Sequence, residues 1–363
     1  MSGRRHRGVS IVTPTLREAE CLPALAARID AVLSPAGIPW ELIVSDDDSR
    51  DGTAAAAAEL ARSLPVRLRV RRGAAPDLSQ AVLDGIDAAR FDQVVVIDAD
   101  LSHPPEAIPR LLKAIEGGRC IAVGSRYAAG GRVAGPWSLY RTLNSRVATL
   151  LARPLVRCSD PMSGFFALHR RFVPKRSELR PIGYKIGLEL MVRGRLPVRE
   201  VPIAFRDRRR GESKLNWRRR LDFLRHLHRL YGFRFGLAAR LANFGVVGLS
   251  GLVIDTAFYL GLQWAGAGHL LARFLSFWPA VTWNWRLNRL LTFGDRPRAA
   301  RARQWTRFSI ASVAGLAANF GAYAALTGLV DLFARHRLAA LFAGVVIGSA
   351  LNFALATRFV YRR

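Results

Sequence analysis

Asp98-Ala99-Asp100 closes a run, Val94-Val95-Val96-Ile97, that reads as a buried strand. Two carboxylates one residue apart, followed by Pro104-Pro105, mark an edge where the chain bends. Like charges repel and desolvation is costly, so a pair at the end of a buried strand calls for a cationic partner. A divalent cation is the simplest. Mg2+ takes one or two carboxylates and completes its shell with phosphate oxygens. The competing reading is a solvated acidic loop, because Asp-x-Asp is common.

The elements that would position this pair alternate in type. Val9–Thr15, Glu41–Val44 and Val66–Val70 read as strands, and 20–33, an Ala-rich stretch after Thr53, and 79–89 read as helices. The expected fold is therefore a doubly wound α/β domain with a mostly parallel sheet. Ligands of such sheets bind outside the carboxyl ends of the strands, where Asp46 and Asp98 would both open. No Gly-x-Gly-x-x-Gly follows the first strand and no Walker A loop is present, which argues against dinucleotide or P-loop chemistry.

Over 363 residues the net charge is +28, which points to a polyanionic partner. An apolar share of 50% and its clustering late in the chain favour membrane and phosphorylated substrates, with no nucleic acid expected. Cys21, Cys120 and Cys158 are isolated, as in a reducing compartment without a zinc site. The basic start, Met1 to Gly8, lacks the apolar core of a signal peptide, so the first domain is expected in the cytoplasm.

Several motifs occur in the order of one family: Val12-Thr13-Pro14-Thr15-Leu16-Arg17-Glu18, Val44 to Thr53, Asp98 to Glu106, Val123-Gly124-Ser125-Arg126-Tyr127, Gly130-Gly131, and Trp137 then Arg141. Asp160-Pro161-Met162-Ser163-Gly164-Phe165-Phe166-Ala167, Val201 to Arg206 and Arg209-Arg210-Gly211-Glu212-Ser213-Lys214-Leu215 follow. Over about 215 residues the chain resembles the family-2 glycosyltransferases of GT-A, Rossmann-like fold, and within them the dolichyl- or polyprenyl-phosphate mannose synthases. It departs from them at Leu16-Arg17, usually Tyr-Asn, at Asp48, usually Asn, and at Asp77, commonly Gly.

The resemblance implies inverting, metal-dependent transfer of a hexose from a nucleotide diphosphate to a polyprenyl or dolichyl phosphate. GDP-mannose is the expected donor, with UDP-glucose or another UDP-sugar as the alternative. It places Mg2+ or Mn2+ on Asp98, Asp100 and Ser102. The nucleotide sugar falls to Pro14, Glu18, Asp46, Asp98, Ala99, Asp100, Arg206 and Lys214. The acceptor phosphate falls to Arg126, Arg141 and Ser163, and the catalytic set is Asp100, Arg126 and Arg141. A lipid phosphate is already an anion and needs no strong base; it needs cations that hold two anionic reactants together. Glu189 either orients one of these arginines or pairs within a helix.

From Asn216 the character changes. Trp217, Leu221, Leu224, His228 and Tyr231 recur at helical spacing among arginines, as in a helix lying on an anionic bilayer or a basic surface helix of the first domain. Apolar stretches follow at about 241–264, 270–293, 308–330 and 338–361, each near the ~20 residues needed to span. The expected organisation is a catalytic domain (1–215), an interface helix (216–239) and a membrane domain with four spans (240–363). Arginines between the second and third spans and at the C-terminus put both on the cytoplasmic side with the catalytic domain, at the cell membrane. Phe244, Gly251, Asp255 and Tyr259 share their spacing with Phe308, Gly315, Asn319 and Tyr323, and Asn284 to Phe293 echoes Asn352 to Tyr361. This parallel repeat resembles the GtrA-like membrane domains. A lipid-linked-sugar flippase with a binding-only first domain is the alternative from another functional class, and an oligomer is left open.

Overall fold

The computed structural model describes residues 8–135, 139–206, 217–297 and 299–362, with the side chains of Arg141 and Arg218 excepted. The chain forms two compact units, Met1–Arg234 and Phe235–Arg363.

The first unit is built on a mixed sheet. Its strands are β1 (Val9–Thr15), β2 (Trp40–Asp46), β3 (Val66–Val70), β4 (Gln93–Val96), β5 (Ile121–Ser125), β7 (Phe166–His169) and β8 (Val198–Pro202), in the order β3-β2-β1-β4-β7-β5-β8. β1, β2, β3 and β4 are parallel neighbours, as are β5 and β8, while β7 runs antiparallel between β4 and β5. A second, two-stranded sheet pairs β6 (Arg132–Ala134) with β9 (Ala204–Arg206). The mostly parallel, doubly wound sheet expected from the sequence is present.

Alternate strand residues feed two cores. Ile11, Leu42, Val44, Val95 and Ala122 face helices α1 (Leu22–Leu33), α2 (Thr53–Leu60) and α4 (Ile108–Ile115). Val12, Ile43, Val94, Val96 and Val123 face α3 (Leu78–Asp87) and α6 (Ile186–Arg193). Burial on both faces explains why these strands read as continuous apolar runs. Asp77 is the N-cap of α3, accepting from the N–H groups of Ser79 and Gln80 at 2.9 and 3.2 Å. The cysteines are free thiols; burial pushes Cys158 up to about 12, leaving it protonated and inert.

α5 (Leu139–Ala152) and α7 (Trp217–Phe235) complete this unit. The apolar stripe of α7 divides. Leu227 and Leu230 pack on Ala152, Leu155, Leu188 and Val192, whereas Trp217 and Leu224 stay exposed. The cause is a buried carboxylate, Glu189 on α6, which accepts from His226 Nε2 at 2.8 Å and from the Arg180 N–H at 2.7 Å and contacts Arg193 Nε at 2.7 Å. Burial alone would raise its pKa, but His226, the Arg180 N–H and Arg193 outweigh it and hold Glu189 below the usual glutamate range. Glu189 thus acts as a clamp for the basic helix. Most of the segment expected as a separate interface helix belongs to the first unit.

The second unit contains α8 (Leu237–Trp264), α9 (His269–Leu287), α10 (Arg301–Leu329), the short α11 (Asp331–Arg335) and α12 (Arg337–Leu355). α8 pairs with α9 and α10 with α12. Among the described residues three helices are long and apolar enough to cross a membrane: Leu237–Trp264, Arg301–Leu329 and Arg337–Val360. The second of the four expected spans falls short of that measure. α9 has 19 residues, carries Arg273 and Arg286, and holds Pro279 in its interior. Asp255 is paired with Arg273, and Arg289 with the buried Gln304. A stacked pair, Phe293 and Tyr361 with centroids 4.4 Å apart, joins the ends of the two helical hairpins.

His226→Leu removes a hydrogen bond to the buried Glu189 and should cost about 1–3 kcal/mol, seen as a lower thermal midpoint and faster proteolysis within α7. A folded pKa below the unfolded value means Glu189 contributes stability above the glutamate range and loses it as pH falls. The gap between wild type and His226→Leu should therefore narrow in acid.

Candidate active site

The Asp98 loop leaves the sheet between β1 and β4, the point where the strand order reverses. Ile97 and Ala99 point into the core, so Asp98 and Asp100 are left at the rim, with the Asp98 side chain 29% exposed. Leu101 has φ +59°, a left-handed conformation that is costly for a leucine and turns the loop sharply. The Ser102 N–H then donates to Asp100 Oδ1 at 3.0 Å. Ser102 is buried, and its carbonyl accepts from the Arg206 N–H at 3.0 Å, tying this loop to the end of β9. His103 lies beneath, between the rings of Phe165 and Phe205 at 5.4 and 5.3 Å. Burial pushes its pKa down, so the ring is neutral; its Nδ1 is 3.5 Å from Asp98 Oδ2 and has no hydrogen-bond partner.

The turn carrying Asp160 to Gly164 meets this loop from the other side. Because β7 is antiparallel to β4, its amino end lies at the carboxyl end of β4, with Val96 opposite Phe166. The turn that precedes β7 is thereby placed against Asp98: a Cβ on Gly164 would stand 2.9 Å from Asp98 Oδ2. Asp160, fully buried, accepts from the Arg126 N–H at 3.0 Å and from Arg126 Nε and Nη2 at 2.7 Å each. This fork holds the guanidinium over the rings of Phe205 and Tyr127, at 5.1 and 5.4 Å. The Ser163 hydroxyl turns inward and donates to Gly124 O at 2.8 Å, fastening the turn to β5.

Lys185 is the residue that sequence reasoning missed. It precedes α6, and its Nζ donates to Met162 O at 2.8 Å. Burial, then the neighbouring Arg126, pushes its ammonium down to about 8 against the pull of Asp160 and Asp98. It is one of few lysines in a chain whose cations are overwhelmingly arginine. That rarity is the one signal available in the sequence.

At the ends of β1 and β2, carboxylates build the loops themselves. Asp46 accepts from Thr15 Oγ1 and the Ser49 N–H, both at 2.8 Å, and is 3% exposed. Asp47, raised by burial, is engaged by Arg71 and the Asp77 N–H. Pro14 lies within β1, opposite Ser45. Leu16 and Arg17 are exposed just beyond it, Arg17 with φ +64° and its N–H on Ser49 Oγ, and Glu18 follows half-buried. Arg141 lies on α5. Trp137, Arg209, Ser213 and Lys214 lie outside the described residues.

The donors fit a hard divalent cation. Asp98 and Asp100 supply oxygen, no group of three His, Cys, Asp or Glu among the described residues forms a closed cage, and the buried His103, its pKa pushed down, adds no charge beside Asp98. Two carboxylates at a strand-end rim suit Mg2+ or Mn2+ shared with phosphate oxygens.

Residues 10–175 match the model for glycosyl transferase family 2, and residues 243–361 match the GtrA/DPMS transmembrane domain. A dolichol-phosphate mannosyltransferase of Pyrococcus furiosus is 39% identical over 356 residues, 96% of this chain and 97% of that protein. The chain belongs to glycosyl transferase family 2. This glycosyltransferase joins its catalytic unit to a GtrA-type membrane domain, and is a membrane protein. A dolichol-phosphate mannosyltransferase of Saccharomyces cerevisiae is 38% identical over 62% of this chain and 88% of its own length. A polyprenol monophosphomannose synthase of Mycolicibacterium smegmatis is 35% identical over 57% and 80%.

Gly164→Ala forces a methyl against Asp98. It should weaken Mn2+ binding about tenfold, read by titration of the metal's paramagnetic resonance signal, with little change in thermal midpoint. Unchanged Mn2+ affinity would mean the close approach has no bearing on the site.

Proposed function

We propose that this glycosyltransferase moves mannose from GDP-mannose to a polyprenyl or dolichyl phosphate, with inversion, at the cytoplasmic face of the cell membrane. The observation that carries this reading is the similarity to the Pyrococcus furiosus enzyme along both units, 97% of that protein's length. The acceptor phosphate oxygen attacks the anomeric carbon as the bond to the donor diphosphate breaks, so the sugar is transferred in one displacement and its configuration inverts. Negative charge builds on the leaving diphosphate. Mg2+ or Mn2+, held by Asp98 and Asp100 in the loop that carries Ser102, would supply Lewis-acid neutralisation there.

The chain's own cations supply the remainder. Arg126, oriented by Asp160, and Lys185 are directed to the acceptor phosphate, with Arg141 on α5 as a third cation. Arg206 and Lys214 are assigned to the donor, with Pro14, Glu18, Asp46 and Ala99 at the nucleotide end. Ser163 serves by anchoring the turn that holds Asp160, because its hydroxyl is committed to Gly124. The membrane domain keeps this site where the lipid acceptor is dissolved, a gain in effective concentration.

Purified protein offered labelled GDP-mannose or UDP-glucose with a polyprenyl phosphate tests the donor; transfer from UDP-glucose alone would replace mannose in this reading. Asp100→Ala should abolish turnover without unfolding the chain, measured by product formation beside a thermal melt. For Lys185, the pH dependence has a definite sign. Its charge is present below about 8 and lost above. kcat/KM for the lipid phosphate should therefore fall as pH rises through that value. Lys185→Arg should remove the alkaline fall, and Lys185→Met should lower turnover about 10²-fold. A profile identical in Lys185→Arg would take Lys185 out of the reaction.

A further inference from the structure

Asp160 holds Arg126, and a second set of hydrogen bonds holds the segment that carries Asp160. It lies one residue back on each side of that pair, between Ser125 and Ser159, whose hydroxyl oxygens are 3.0 Å apart. Glu200 on β8 completes it. One of its carboxylate oxygens accepts from the Ser159 hydroxyl at 2.5 Å and the other from the Ser159 N–H at 3.0 Å. β8 is an edge strand, and Glu200 lies opposite Val123, two residues before the Ser125–Pro202 pair. Side chains alternate along a strand, so Glu200 and Ser125 share one face of the sheet.

The direction of each proton follows from the partners. A carboxylate can only accept, so Ser159 donates to Glu200 and its oxygen in turn accepts from Ser125. Ser125 Oγ accepts from the N–H groups of Tyr127 and Ala128 at 3.2 and 3.0 Å, which uses both of its lone pairs. The hydrogen bonds therefore run one way, from the 125–128 turn through two serines to Glu200. An amide in place of the carboxylate would break that order. Its NH2 would donate to Ser159, whose hydroxyl would then meet Ser125 as a third donor. Arg126 sits within the turn so fastened, and its N–H, Nε and Nη2 all reach Asp160, the residue after Ser159. The direction of the guanidinium is thus set by how these two segments stand against each other, and Glu200 sets that from a third.

We propose that Glu200 is a positioning residue for the acceptor phosphate: through Ser159 and Ser125 it fixes the Arg126–Asp160 fork, and with it the point where Arg126 meets that phosphate. The contact of Arg126 with a lipid phosphate rests on the function proposed above, whereas the clamp rests on the hydrogen bonds. The test uses the full chain in phosphatidylcholine nanodiscs. A water-soluble, short-chain prenyl phosphate is titrated by calorimetry, and its KM and kcat are measured with GDP-mannose. Glu200→Gln, of the same size, should raise Kd and KM for the prenyl phosphate about tenfold. kcat, Mn2+ affinity, GDP affinity and thermal midpoint should stay near those of wild type. In an Arg126→Lys background, where the fork cannot form, Glu200→Gln should change Kd less than about twofold. Ser159→Ala keeps the N–H contact and removes only the hydroxyl. It should raise Kd about threefold, and it carries the test if Glu200→Gln fails to fold. Unchanged Kd in these variants, an equal loss in the Arg126→Lys background, or a matching loss of Mn2+ and GDP affinity would overturn the proposal. A chain that binds prenyl phosphate in this Glu200-dependent way yet transfers no mannose would overturn the proposed function alone.

Discussion

A carboxylate with no access to water, Asp160, sets the geometry on which the catalytic unit depends. An isolated buried carboxylate is untenable, and Asp160 is made tolerable by three donors from a single residue, Arg126. That fork locks the turn before β7 to the end of β5. With the turn fixed, Gly164 lies against Asp98 and Met162 O receives Lys185. One ion pair therefore sets the spacing between an acidic rim and two cations.

The balance of charge at this rim suits two anionic reactants. Arg126 stays charged at any working pH, and its direction is set by Asp160. Lys185 differs: burial beside Arg126 leaves its ammonium poised near 8, so an arriving phosphate would strengthen its charge. His103 contributes by staying neutral. A charged imidazole at that distance from Asp98 would compete with a metal ion for the carboxylate.

The same economy of buried charge governs the helices that follow. Glu189 draws α7 onto the first unit through His226, so the Arg-rich face of that helix and its exposed Trp217 and Leu224 are presented together. Within the membrane domain, Asp255 is paired with Arg273 and Arg289 with Gln304, which lowers the cost of these charges where water is scarce.

Periodicity and strand-end chemistry were enough to read the alternation of strands and helices, the acidic rim at Asp98 and Asp100, the membrane half and its repeat. These are local properties: β-branched runs, an apolar stretch of fixed length, a motif of a few residues. The reversal of β7 was not legible, because strand direction depends on how the chain returns to the sheet. Yet that reversal brings the 160–164 turn to Asp98. Nor did the sequence show that the side chains of Asp46 and Ser163 hold loops, or choose between two readings of Glu189. Lys185 lies far along the chain from Asp98, and no spacing links them. Burial, pairing and pKa arise from groups brought together by the tertiary fold, so only the folded chain decided which charges meet.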